Sequence, residues 1–140
     1  MNDPFLGMKK AVAGRGGRWT RARARVLEVF LKDRRPLTPR EVHRRAGPKA
    51  NLASVYRNIR LLWEFGLLVS VDRVEEGERF ELSERHRDHH HHLICERCGA
   101  VEDLEGCLLA GAVRRAQTRT RFRIVRHELN LFGLCLDCVA

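Results

Sequence analysis

Two cysteine pairs, Cys95-Glu96-Arg97-Cys98 and Cys135-Leu136-Asp137-Cys138, constrain this chain more than anything else in it. Each pair can present two thiolates to one metal ion from a tight knuckle. Two knuckles complete a tetrahedral all-sulfur site of the kind that suits zinc. Thirty-six residues (99–134) lie between the pairs, so a shared ion would clip the start of a segment to its end. Such closure offsets the thin core of a segment of ~60 residues. Disulfides are the alternative in an oxidising compartment. A redox CxxC is another, but it usually follows a strand and opens a helix, whereas Gly99 and a strand-like run follow Cys98. The pattern favours structural zinc over both. Cys107 has no partner in this scheme and reads as a small buried apolar residue.

Just before the first knuckle stand His89, His90, His91 and His92. In an extended segment alternate side chains face opposite sides, so His90 and His92 face one way and His89 and His91 the other. One run can then serve two metal sites, and imidazole with carboxylate suits zinc, iron or manganese. The bland alternative is a solvated histidine-rich loop. Glu81 and Asp103 are candidate oxygen ligands. His127, alone on a strand face, reads equally as a ligand or as an ordinary strand residue. His43 and His86 read as surface residues.

The first half has a different character. Residues 1–17 are loosely patterned. Thr20 then stands as an N-cap before a helix over 20–32, with Ala22, Val26, Val29 and Phe30 at helical spacing. Thr38-Pro39-Arg40-Glu41 is a capping box with proline at the first helical position, predicting a short helix over 39–46 that stops at Gly47-Pro48. A third helix is expected over 52–65, with Val55, Ile59, Leu62 and Trp63 buried and Gly66 as a left-handed terminator. LLVSVDRV and RFELS flank the turn signal of residues 75–78 and predict a hairpin. Three helices and a two-stranded hairpin make the winged-helix plan, in which the third helix enters the major groove of DNA. Beyond residue 83, LIC and AVEDL read as strands, 106–118 as a helix and RFRIVRHELNLFG as a longer strand.

Charge agrees with a polyanion partner for the first half. Residues 1–60 hold 16 Lys+Arg against 4 Asp+Glu, a net +12, while residues 61–140 hold 11 against 14, a net −3. A basic half beside a mildly acidic one fits nucleic acid, although a solvated charged face gives the same imbalance. No run approaches the ~20 apolar residues of a membrane-spanning helix. The N-terminal stretch lacks the apolar centre of a signal peptide, so a cytoplasmic location is expected. No general base sits in a recognisable catalytic pattern, and an enzyme is not expected.

Taken in order and at these spacings, LASVYRNIRLLWEFGLL, RFEL, HHHHLICERCGAVEDL and HELNLFGLCLDC resemble the ferric uptake regulator family of iron, zinc, manganese and peroxide sensors. The resemblance runs from about Arg15 to Cys138. It implies an α+β fold, with a winged-helix DNA-binding domain over 1–83 and a small α/β dimerisation and metal-sensing domain over 84–140 with structural zinc. It also implies a homodimer, with no membrane role, that binds double-stranded DNA at a palindromic operator and represses metal uptake genes.

By this resemblance Cys95, Cys98, Cys135 and Cys138 match the structural Zn(II) ligands. Ser54, Tyr56 and Arg57 lie in the segment that matches the DNA-contacting recognition helix, and Arg18 matches a basic residue that probes the minor groove. Glu81, His90 and His92 match ligands of a second, regulatory divalent metal, with Asp103 a frequent addition. His89, His91 and His127 match a further site that only some members use.

The chain departs from the family pattern in places. Pro36 stands where iron and peroxide sensors usually carry a regulatory histidine, and Asp72 is placed to substitute, as in zinc sensors. Yet zinc sensors commonly carry cysteine near the position of Glu81. The balance leans to Zn(II) as the regulatory metal, with Fe(II), Mn(II) or peroxide sensing as the alternative. At the further site the family's helix carboxylate corresponds to Ala110, so either the site is vestigial or Glu105 or Cys107 substitutes.

Overall fold

The computed structural model describes residue 3, residues 5–84 and residues 88–139. His86 therefore lies outside the described residues. The chain divides into two compact units, residues 1–87 and 88–140. The division falls four residues beyond the 83/84 boundary drawn from composition.

The first unit runs α1 (Leu6–Gly14), α2 (Arg21–Lys32), α3 (Pro39–Ala46), α4 (Leu52–Glu64), β1 (Leu68–Val74) and β2 (Gly77–Leu82). Each of the three central helices starts where a side chain accepts from an otherwise unbonded backbone N–H. Thr20 accepts from Arg23 and Asn51 from Ser54. Thr38 and Glu41 form the reciprocal capping box, with Thr38 N donating to Glu41 Oε2 at 2.8 Å. Gly66, at φ 71°, turns the chain out of α4 into β1.

β1 and β2 pair antiparallel from Leu68↔Leu82 to Val74↔Gly77, with an irregularity between Ser70 and Asp72. Leu37 adds a bridge to Phe80, so the loop before α3 is sewn to the hairpin. The core draws on every element: Met8, Val12, Val26, Leu27, Phe30, Leu37, Val42, Val55, Ile59, Leu62, Leu67, Leu68, Phe80 and Leu82 are among its buried members. This is the winged-helix arrangement expected of residues 20–83.

Two local expectations fail here. Residues 6–14 form a helix where loose patterning suggested none. α1 has no side-chain cap; it is held by Met8 and Val12, one turn apart and both buried in the common core. Gly17 then lets the chain pass close, since a Cβ there would lie 2.6 Å from the Phe65 ring. Trp63 is half exposed rather than buried, and Asn58 takes its place on the inner face of α4. The Asn58 amide is satisfied internally, donating to the Ser54 carbonyl at 2.8 Å.

The second unit runs β3 (His90–Cys95), β4 (Val101–Glu105), α5 (Ala110–Arg119), β5 (Asn130–Gly133) and α6 (Leu136–Val139). β3 is the middle strand, antiparallel to β4 and parallel to β5. The fold class is α+β. The long strand expected from Arg121 shrinks to Asn130–Gly133, because parallel pairing with β3 begins only at His92↔Asn130. The helix expected over 106–118 begins four residues later, after a turn at Gly106 with φ 80°. No described helix is long and apolar enough to cross a membrane.

Candidate metal centres and DNA-binding face

Parallel pairing of β3 with β5 brings the two cysteine knuckles together. Cys95 lies opposite Gly133, so both strands release their knuckles at the same end of the sheet. Gly99, at φ 72°, closes the first, while the Cys138 N–H donates to the Cys135 carbonyl across the second. One sulfur from each of Cys95, Cys98, Cys135 and Cys138 lies within 4.8 Å of the others, and Cys98 Sγ stands 3.7 Å from Cys135 Sγ. Four thiolates about 2.3 Å from a central zinc stand roughly 3.8 Å apart, so the set fits that ion.

None of the described cysteines is in a disulfide. Backbone N–H groups, first that of Cys135 and then that of Cys98, hold the Cys95 thiol down at about 6. Hydrogen bonding to Cys135 and burial push Cys138 up to about 12. Four thiols this close cannot all ionise alone; a dication lets them do so together. Arg97 also donates to the Cys138 carbonyl, tying one knuckle to the other.

The histidine run splits across β3 as its alternation requires. On one side the rings of His90 and His92 lie 4.8 Å apart with Nε2 atoms separated by 3.1 Å. His90 Nδ1 is 2.8 Å from the Asp88 carbonyl, and His92 Nδ1 is 3.3 Å from Asn130 Oδ1. Both Nδ1 atoms thus face acceptors. That favours the tautomer protonated at Nδ1 and leaves each Nε2 as a lone-pair donor, the usual preparation of a metal-binding imidazole. Asp103, directly opposite His92 on β4, brings Oδ1 to 3.8 Å from His92 Nε2. Asn130 went unread in the sequence; the only signal was its place in HELNLF, next to a strand that had to pair with the histidines.

On the other side, His89, His91, His127 and Cys107 bring one ligand atom each within 4.8 Å of the rest. Ring centroids are 4.8 Å apart for His89 and His91 and 4.7 Å for His89 and His127. Cys107 is half-buried, with Sγ 3.2 Å from His127 Nε2. The reading of Cys107 as a buried apolar residue is thereby corrected: it is half-buried, and its sulfur meets an imidazole.

Glu81 is buried in β2 opposite Val69. Asp72 is placed differently from the expectation that made it a ligand. It faces Arg79 across the hairpin in a two-pronged ion pair, at 2.7 Å to Nε and 2.6 Å to Nη2. Both its oxygens serve that pair, and both side chains are about nine-tenths buried. His43 is half-buried and bonded to the Ala50 carbonyl.

In α4, Tyr56 and Arg57 project outward, and Arg18 is exposed ahead of α2. Ser54 sits one turn in from the N-terminus, with its hydroxyl 3.2 Å from the Asn58 amide. A groove beside it is lined by Arg25, Lys49, Asn51 and Ser54.

A winged helix joined to a unit with a four-cysteine cluster and two histidine clusters defines a metal-binding member of the DNA-binding regulators. The sequence profile of the ferric uptake regulator family matches residues 14–132, and the chain belongs to that family. It is 28% identical over 142 residues to the ferric uptake regulation protein of Campylobacter upsaliensis, covering 97% of this chain and 90% of that one. It is 28% identical over 126 residues to the peroxide-responsive repressor PerR of Staphylococcus saprophyticus, covering 88% and 83%.

Among solved structures, the ferric uptake regulator of Helicobacter pylori, which has three functional metal-binding sites, superposes with a TM-score of 0.81 at 19% identity over 98% of this chain and 92% of that one. That of Vibrio cholerae superposes at 0.75 with 26% identity, over 95% and 100%. The chain is thus a metal-responsive, DNA-binding transcription regulator of a family that works as dimers, and not an enzyme.

Proposed function

We propose that this regulator is a zinc-dependent repressor of metal uptake genes, acting in the cytoplasm as a homodimer on a palindromic operator. The observation that carries the reading is the pair of His90 and His92 Nε2 atoms 3.1 Å apart, both rings anchored through Nδ1 and Asp103 at hand. Two imidazoles and a carboxylate suit a borderline dication held with moderate affinity. Glu81, the buried carboxylate of β2, supplies the fourth ligand. Pro36, in the position of a histidine used by iron and peroxide sensors, adds to the case for zinc. Asp72, engaged by Arg79, drops out of the ligand set.

In this reading the ion of the four cysteines is structural and the second ion is the signal. Binding of that second ion biases the dimer toward one orientation of two winged helices. Tyr56 and Arg57 of α4 then meet the major groove, Ser54 positions that helix on the backbone, and Arg18 reaches the minor groove. The exposed apolar residues of the second unit, Phe122, Val125, Phe132 and Leu136 among them, support pairing with a second copy.

The test starts from protein holding structural zinc alone. Duplexes are selected from a random pool in the presence of zinc, and affinity for the enriched duplex is measured with no added metal and with Zn(II), Fe(II) and Mn(II). Zinc should enrich a palindrome and tighten binding by about 5- to 150-fold, the usual range of allosteric coupling. Equal affinity with and without every metal would overturn metal-dependent repression. A response to Fe(II) or Mn(II) larger than that to Zn(II) would overturn the choice of zinc.

A further inference from the structure

The cluster on the far side of the histidine run differs in chemistry from the one beside it. His90, His92 and Asp103 offer nitrogen and oxygen; His89, His91 and His127 are met by sulfur. Three elements converge there: the start of β3, the segment leading to β5, and the turn between β4 and α5. Gly106, at φ 80°, reverses the chain at the end of β4, and the following residue is Cys107. The Ala110 N–H donates to the Cys107 carbonyl at 3.4 Å as the chain enters α5. Sγ is thereby presented to His127 Nε2 at 3.2 Å, with His91 almost wholly buried beside them. Alanine at position 110 offers no carboxylate from the helix.

We infer that Cys107 is the fourth ligand of a closed site, completed by the imidazoles of His89, His91 and His127, and that this thiolate makes the site selective for zinc over manganese and iron(II). Four protein donors fill a tetrahedron. Zn–N bonds of ~2.0–2.1 Å and a Zn–S bond of ~2.3 Å set tetrahedral donor atoms roughly 3.3–3.6 Å apart; these four lie within 4.8 Å of one another, with Cys107 Sγ already 3.2 Å from His127 Nε2. Manganese(II) prefers oxygen-rich octahedra and gains little from a soft thiolate. The bound ion also ties residue 127 to β3, in a stretch of 121–129 outside any strand, and steadies the face whose alternate residues are His90 and His92. The inference rests on the histidine run being metal-binding, as the proposed function also assumes, but it is tested separately.

The full-length chain, with its four-cysteine site filled by zinc, is titrated with Co(II). Four of its five cysteines are then occupied, so a sulfur-to-cobalt charge-transfer band in the near ultraviolet can come only from Cys107. The wild type should show that band and take up two Co(II) per chain. Cys107→Ser should lose the band, and its zinc affinity at this site should fall by more than the roughly 10- to 100-fold that removal of an outer-shell partner costs.

Cys107→Asp supplies an oxygen ligand, so it should keep two Co(II) per chain, lack the band and bind Mn(II) more tightly than the wild type does. It also carries the test if the serine variant fails to fold. Absence of the band in the wild type, or unchanged zinc affinity in Cys107→Ser, overturns the inference. Either result leaves the operator experiment standing, whereas metal-independent DNA binding with an intact band would sink only the proposed function.

Discussion

The two units solve the same stability problem with different materials. The first buries hydrocarbon from six elements and the loops between them, with Phe30, Leu27, Leu37, Ile59 and Leu62 at its centre. In the second, only Ile94, Cys95 and Cys138 among the described apolar residues are buried, and α5 buries none at all. Its innermost groups are instead His91, His92 and two sulfurs, side chains that in a conventional core would cost free energy to desolvate. Metal coordination, as proposed above, would satisfy their lone pairs and close the chain in one step. This contrast predicts that the first unit stays folded whatever the metal supply, while the second depends on it. A sensor needs that division.

The largest test of this contrast is removal of structural zinc. Chelation, or Cys138→Ser, should unfold residues 88–140 and leave the winged helix folded. Structural zinc contributes on the order of 10–16 kcal/mol in small metal-folded domains. Hydrogen exchange followed separately over the two units would check this; loss of protection in the first unit as well would break the comparison.

A smaller effect is expected from Asp72→Ala. It removes the two-pronged partner of the buried Arg79 guanidinium and should lower stability by up to about 3–5 kcal/mol, the usual penalty for breaking a buried pair. Metal stoichiometry should not change. A fall in bound metal alongside normal stability would return Asp72 to the ligand set.

The smallest change is Thr38→Ala. Loss of the capping box should cost about 0.5–2 kcal/mol of winged-helix stability by denaturant titration. Zinc content should be unaltered; zinc loss would show that the units are not energetically separate.

Much of this was legible in the chain itself. Capping boxes, helix periods and the Gly66 terminator act over a few residues, so the winged helix could be read down to the bounds of α3. The spacing of the cysteines likewise announced a four-sulfur site, because ligand number and knuckle length are local facts. The alternation of His89–His92 followed from strand geometry alone. Burial was less legible. α1 is held by Met8 and Val12 through distant partners, and the inner face of α4 carries Asn58 in place of Trp63.

Side-chain partnerships lay beyond sequence reading for the same reason. Whether Asp72 met a metal or Arg79 depended on which residue the hairpin register set opposite it. Whether Cys107 met hydrocarbon or imidazole depended on a turn at Gly106 and on where the segment bearing His127 came to rest. Local sequence determined most of the elements and the ligand types of this protein. Only the tertiary fold decided which ligands share a site, because that requires distances between residues tens of positions apart, and these are set by strand pairing and packing rather than by any short pattern.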